Sequence, residues 1–192
     1  MLTLYPGERD APLKGKLAFF DIDSPESYEP LSYVWGPPPS NGKHQITISN
    51  KERDGSLQLT ASLYGALKRL RYTDRERRLW ADQICINQKD KEERSQQVQF
   101  MNRIYKNASH VLVWLGQDEK GPDGKSVAES AFNLVRKLDE TFRDEAKREK
   151  FHTDHTGENL EKQSRDPWVP LDHLTELPWV RRTSALVKCK DL

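Results

Sequence analysis

Cysteine is nearly absent from this chain. Cys85 and Cys189 are the only two in 192 residues, and a pair so far apart in sequence is no disulfide framework. Neither a CxxC nor an HxxxH spacing occurs, which removes the usual zinc patterns. The five histidines, His44, His110, His152, His155 and His173, are scattered over expected loops and one strand start. Long apolar runs are missing too: no stretch of 18 apolar residues exists, and MLTLYPGERDAPLKG at the N-terminus has no apolar leader. Neither a membrane-spanning helix nor a secretory signal is expected, so a cytoplasmic, intracellular setting follows. An excess of one charge is also lacking. With 31 basic and 30 acidic residues the net charge is +1, which gives no general attraction to nucleic acid or to a membrane surface. Apolar residues make up only 35% of the chain and the mean hydropathy is −0.88, so part of it should lie outside any packed core. No internal repeat is present.

What the chain does contain is an alternation of short β-prone runs and helical periods. Leu17 to Ile22, Leu31 to Trp35 and Gln45 to Ser49 read as strands separated by proline, glycine and the Ser40-Asn41-Gly42 turn. After Thr60, an N-cap residue type, Leu63, Ala66, Leu67 and Leu70 recur at helical spacing. Leu79 to Ile86 reads as a buried strand. Asp90 with Glu93 has the form of a capping box and opens a helix whose Val98, Met101, Ile104, Tyr105 and Ala108 share a face. HVLVWLG then reads as a strand covered on both faces and ending in Gly116. Ser126 with Glu129 predicts a further helix that runs on towards Lys150, and Leu171 to Arg182 a short amphipathic segment.

This order predicts an α/β fold: a single domain with a central, mainly parallel sheet flanked by helices, flavodoxin-like in plan, with extra N-terminal strands. Its expected parts are a strand-and-loop segment over 1–27, a core over 28–150, a flexible polar linker over 151–170 and a C-terminal segment over 171–192. In such sheets ligands gather beyond the carboxyl ends of the strands. Three inferred strands end in distinctive groups there: Trp35-Gly36, Cys85 to Gln88, and Trp114 to Gly116.

Asp82 is the sharpest oddity, because a carboxylate inside a strand core suffers several kcal/mol of desolvation unless it has a partner. Ligand contact, an arginine ion pair and loop amides all remain open for it. Cys85 is better read as a packing residue than as a nucleophile, since no base is placed to lower its pKa. Asn87 and Gln88 sit where strand becomes loop and could serve the local backbone or a ligand. Glu92 and Glu93 suit the positive end of a helix. Tyr33, Trp35, Trp80 and Trp114 place aromatic area near strand ends, for packing or for ligand stacking. GPDGKS, Gly121 to Ser126, has too few residues between its glycines to be a phosphate loop. KRLRYTDRERR, Lys68 to Arg78, is broken by Asp74 and Glu76 and has little aromatic content for base stacking.

The blocks YEPLSYVWG, LYGALKRLR, LWADQICINQKDKEERSQQVQFMNRIYKNA and HVLVWLG, in this order over Tyr28 to Gly116, resemble the fungal heterokaryon incompatibility (HET) domain. The matching positions are Ser32, Tyr33, Trp35 and Gly36 in the first block, and Asp82, Cys85, Ile86, Asn87, Gln88 and Arg94 in the third. The resemblance implies an effector in fungal non-self recognition that triggers growth arrest or programmed cell death, and a fold related to the Toll/interleukin receptor (TIR) domain. It also implies protein partners, among them incompatibility or NLR-type signalling proteins and a second copy of the chain, rather than nucleic acid or membrane. Some TIR relatives cleave NAD with a glutamate, so the alternative implied function is an NAD glycohydrolase, with NAD as substrate and no resident cofactor or metal. The family's C-terminal block, of the form PWFxRxWxxQE, is matched by Pro178, Trp179 and Arg182, but Ser184, Val187 and Lys188 stand where Trp, Gln and Glu are usual. If that glutamate is the catalytic one, the chain is catalytically impaired. The ligand-pocket candidates are then Ser32, Tyr33, Trp35, Gly36, Asp82, Cys85, Asn87, Gln88, Arg94 and Gly116, with no catalytic residue assigned.

Overall fold

A computed structural model describes residues 1–24, 26–39, 42–49, 54–121, 124–155 and 168–182. The chain divides into two compact units, Met1–Gly116 and Gln117–Leu192. The first holds seven strands, β1(Leu2–Leu4), β2(Leu13–Leu17), β3(Glu29–Tyr33), β4(Gln45–Ile48), β5(Gly55–Gln58), β6(Arg77–Trp80) and β7(Leu112–Trp114). With them are the helices α1(Ala61–Leu70), α2(Asp82–Cys85) and α3(Lys91–Lys106). The sheet order is β5-β4-β2-β1-β6-β3-β7.

The α/β class is as expected, but the sheet is mixed rather than mainly parallel. β3 runs parallel to β6 and β7, and β2 parallel to β4, whereas β1 is antiparallel to both its neighbours and β5 antiparallel to β4. The difference arises at the N-terminus. Leu-Thr-Leu is too short to show a period, yet Leu2 and Leu4 are fully buried, and this strand enters the middle of the sheet against the common direction. Residues 1–27 thus contribute two strands to the same sheet as β3.

The loop from β1 to β2 is held by cations from α1 and its C-cap. Arg71, 8% exposed, donates from its guanidinium to the carbonyls of Ala11 at 3.0 Å and Pro12 at 2.9 Å, and also to that of Glu8. Lys68 Nζ donates to the carbonyls of Arg9 at 3.0 Å and Ala11 at 2.6 Å. On the other side of β1, Arg77 forms a two-pronged pair with Glu29 at 2.6 and 2.9 Å, which pins the register of β6 against β3.

Period-two alternation assigns the helices to opposite faces. Leu79 and Ala81 pack with Leu31, Tyr33, Leu63 and Leu67 on the α1 side. Trp80, between them in sequence, packs with Tyr28 and Ile104 on the α3 side. Thr60 caps α1 by accepting from the Leu63 N–H at 3.3 Å, and Asp90 caps α3 by accepting from Glu92 and Glu93 at 2.9 and 3.1 Å. Glu93 does not close a capping box onto Asp90. Its Oε1 accepts from the Asn87 N–H at 3.0 Å, which stitches the preceding loop to the helix.

Three further expectations change. Leu79 to Ile86 is not one strand: β6 stops at Trp80 and the chain turns through Ala81 into the single turn of α2. Among the described residues β7 is an edge strand paired only with β3, with Val111 and Val113 46% and 44% exposed. An apolar run alone does not distinguish a central strand from an apolar edge. On α3, Val98 is 58% exposed, while Met101, Ile104 and Tyr105, with Ala108 just beyond the helix, pack against Tyr28 and Trp80.

The second unit contains α4(Val127–Arg143), α5(Glu145–Asp154) and α6(Val169–Glu176). Ser126 caps α4 as expected, accepting from the Glu129 N–H at 2.8 Å. The expected single helix to Lys150 is instead broken at Asp144, whose carboxylate accepts from the Lys147 N–H at 3.0 Å and starts α5. α4 packs on α6, Ala131 is fully buried, and the rings of Phe142 and Phe151 meet edge-on at 5.1 Å. Most of the expected 151–170 linker and the end of the C-terminal block, with Ser184, Val187 and Lys188, lie outside the described residues. Among the described residues no helix is long and apolar enough to cross a membrane.

Candidate functional site

Because β3, β6 and β7 are parallel, their carboxyl ends share one rim. β3 ends in Tyr33 and leads to Trp35-Gly36; β6 ends in Trp80 and leads to Asp82 at the start of α2; β7 leads to Gly116. Gly36 and Gly116 turn the chain off their strands with φ of 72° and 123°, a region where glycine is at ease.

The partner of Asp82 is an indole. Trp35 Nε1 donates to both carboxylate oxygens, at 3.0 and 2.9 Å, and the Gln83 N–H donates to Oδ1 at 2.8 Å. The side-chain amide of Gln88 donates to the Asp82 carbonyl at 2.8 Å and so closes the loop after α2. Gln83 reaches the other way: its Oε1 accepts from the Thr60 N–H at 3.3 Å and hydroxyl at 3.2 Å, which ties α2 to the cap of α1. Tyr33 is 6% exposed. Burial first, then the charge of Asp82, pushes its phenol well above the ordinary tyrosine range. The hydroxyl is near enough to feel that charge but makes no hydrogen bond of ordinary geometry. The rim therefore holds a fixed carboxylate beside a neutral phenol.

The other candidates separate from this cluster. Ser32, opposite Val113 in register, alternates with Tyr33 and so belongs to the other face of β3. Asn87 is exposed, and its Oδ1 accepts from the Lys89 N–H at 3.2 Å. Arg94 is exposed on α3. Cys85 borders both apolar clusters, with Sγ 4.0 Å from the Leu79 carbonyl. Burial pushes its thiol up, opposed by the nearby amino terminus, which is the opposite of what an activated nucleophile requires. Among the described residues no group of His, Cys, Asp and Glu is gathered as metal ligands.

Alkylation should register this environment. In a Cys189→Ser background, iodoacetamide at neutral pH is expected to label Cys85 at least about tenfold more slowly than a free thiol, with full reactivity recovered in urea. Both Cys85 and Tyr33 hold their protons more tightly folded than unfolded. Stability present below the ordinary thiol range is therefore lost as pH rises towards the raised values. Labelling as fast as that of a free thiol would contradict the part-buried, neutral state.

A cavity of about 510 Å³ opens elsewhere, on the α3 side of the β6 end. Of the ten candidates only Cys85 lines it; its other walls include Phe20, Trp80, Glu93, Gln97 and Phe100. The sequence reading missed these as a site. Trp80 stands out in the sequence as aromatic area and Glu93 as a helix-start acid, but nothing in the order of residues brings them to Phe20.

Helices on both faces of a sheet, with a parallel trio of strands delivering aromatic and carboxylate groups to one rim, define an α/β domain of the kind the motif blocks imply. The family described as Heterokaryon incompatibility protein (HET) matches residues 28–185, and the chain belongs to that family. It is similar to heterokaryon incompatibility protein 6, OR allele, of Neurospora crassa, with 47% identity over 104 residues, which is 50% of this chain and 15% of that protein. The chain thus spans only a small part of the length of this relative. No solved structure matches it.

Proposed function

We infer that the chain acts as a heterokaryon incompatibility effector domain in fungal non-self recognition, leading to growth arrest and programmed cell death through engagement of protein partners. The observation that carries this is the family match over residues 28–185, supported by the similarity to a protein named for incompatibility. The rim chemistry fits a scaffold role. The Asp82 carboxylate is occupied by Trp35 and Gln83, and desolvation holds the part-buried Cys85 thiol above its ordinary range despite the nearby Met1 amine.

A second reading, cleavage of NAD, draws on the position of Asp82 at the carboxyl ends of parallel strands, where α/β folds receive nucleotides. One experiment separates the two. The chain is expressed from an inducible promoter in a filamentous fungus, and vital-dye uptake and cellular NAD are followed together. Growth arrest and dye uptake with NAD unchanged at their onset are the expected outcome. NAD loss that precedes arrest and disappears in Asp82→Ala would transfer the assignment to the hydrolase. Normal growth at full expression, with and without a fusion partner of different incompatibility type, would remove the effector reading.

A further inference from the structure

We propose that the cavity between α2, α3 and the Ala18–Ile22 segment is a binding site for a small, flat aromatic molecule bearing a cationic amine. Its volume, about 510 Å³, lies in the range of small-molecule sites, roughly 300–1,000 Å³. The walls are aromatic and already braced: Phe20 meets Tyr28 edge-on at 5.4 Å, Trp80 meets Tyr105 edge-on at 6.2 Å, and the Tyr28 hydroxyl is committed to the Ile104 carbonyl at 2.8 Å. These rings are held by contacts within the protein, so little ordering remains to oppose binding. Phe19, also on the lining, is fully exposed and offers apolar surface that a bound ring would cover.

Charge selects the sign of the ligand. The lining carries two carboxylates, Asp21 and Glu93, and no lysine, arginine or histidine side chain. Its one cation is the Met1 amine, which donates to the Ala18 carbonyl at 2.9 Å. A phosphate or carboxylate would meet two carboxylates against the single Met1 ammonium, itself hydrogen-bonded to Ala18, whereas an ammonium group would meet those carboxylates and the faces of the aromatic rings. Glu93 and Gln97 are four residues apart on α3 and so share one face. Glu93 commits Oε1 to the Asn87 N–H, leaving Oε2 available, and the side chain of Gln97 has no hydrogen-bond partner among the described residues. The Cys85 thiol, kept neutral by burial, adds polarizable surface to the lining. This site is separate from the Trp35–Asp82 cluster and stands whether or not the incompatibility reading holds.

The test is an amide and indole NMR titration of the full chain with phenethylamine, 2-phenylethanol, phenylacetate and the blocked dipeptide acetyl-Phe-Lys-amide. Phenethylamine is expected to saturate with a dissociation constant on the order of 1 mM, shifting resonances of Phe20, Phe100 and the Trp80 indole. The alcohol and the carboxylate should bind at least about fivefold more weakly. Glu93→Gln, which keeps an acceptor for the Asn87 N–H, should weaken the amine by about fivefold and leave the alcohol unchanged. Gln97→Trp, which fills the cavity from the helix, should abolish binding of all three. Equal affinity for the carboxylate, shifts centred elsewhere, indifference to both substitutions, no saturation by any probe, or saturation by the dipeptide alone would each overturn the assignment.

Discussion

Arg71→Met is expected to destabilise the first unit by about 2–4 kcal/mol and to lower its unfolding midpoint by on the order of 10 °C. The guanidinium is buried at the end of α1, and the loop between β1 and β2 is organised around it through the carbonyls of Glu8, Ala11 and Pro12. Methionine fills much of the volume but donates nothing, so those carbonyls must find water or remain unpaired. An unsatisfied buried acceptor costs about 1–3 kcal/mol, and partial relaxation of an exposed loop recovers some of that. Arg71→Lys should fall between, because one ammonium cannot span carbonyls on both sides of the loop. Arg69→Met, on the exposed side of the same helix, is the control and should change stability by less than about 0.5 kcal/mol. Thermal melts followed by circular dichroism decide it; equal melts for Arg71→Met and Arg69→Met would show that the loop does not depend on the cation.

The second large effect concerns the rim. Trp35→Phe keeps a ring in place but removes the N–H shared by both oxygens of Asp82, and is expected to cost about 1.5–3 kcal/mol. Asp82→Ala should cost less, about 1–2 kcal/mol, because an indole N–H without its acceptor is a smaller liability than a half-buried carboxylate without its donor. The double variant should be less destabilised than the sum of the two by about 1–2 kcal/mol. This coupling isolates the hydrogen bond from the packing lost with the larger ring. Urea unfolding of the four proteins measures it, and additivity within about 0.5 kcal/mol would mean that the contact contributes nothing.

Legibility in the sequence followed the range of the interaction. Thr60, Asp90 and Ser126 were recognisable as helix starts because an N-cap bonds only two or three residues ahead, and each does so in the structure. The need of Asp82 for a partner was legible from desolvation, but not that the partner is Trp35, because 47 residues separate them and no local pattern links an indole to a distant carboxylate. β1 and α2 are shorter than any period that could reveal them. The β-branched, apolar end of Leu79 to Ile86 made a one-turn helix look like the rest of a strand. The cavity was illegible for another reason: Phe20, the Trp80–Cys85 turn and Phe100 come from separate segments, and only the folded sheet with α3 makes them neighbours.

The family match starts at residue 28, yet Leu2–Leu4 is the strand that joins β5-β4-β2 to β6-β3-β7. During synthesis on the ribosome this three-residue spline can pair at once with Leu13–Leu17, but its other edge must wait until Arg77–Trp80 has emerged. At roughly 5–20 residues per second that interval lasts several seconds, during which an apolar hairpin edge is open to any passing chain. A fragment cut at residue 28 would lose both Leu2–Leu4 and Leu13–Leu17, leaving β5-β4 and β6-β3-β7 with no strand to fasten them.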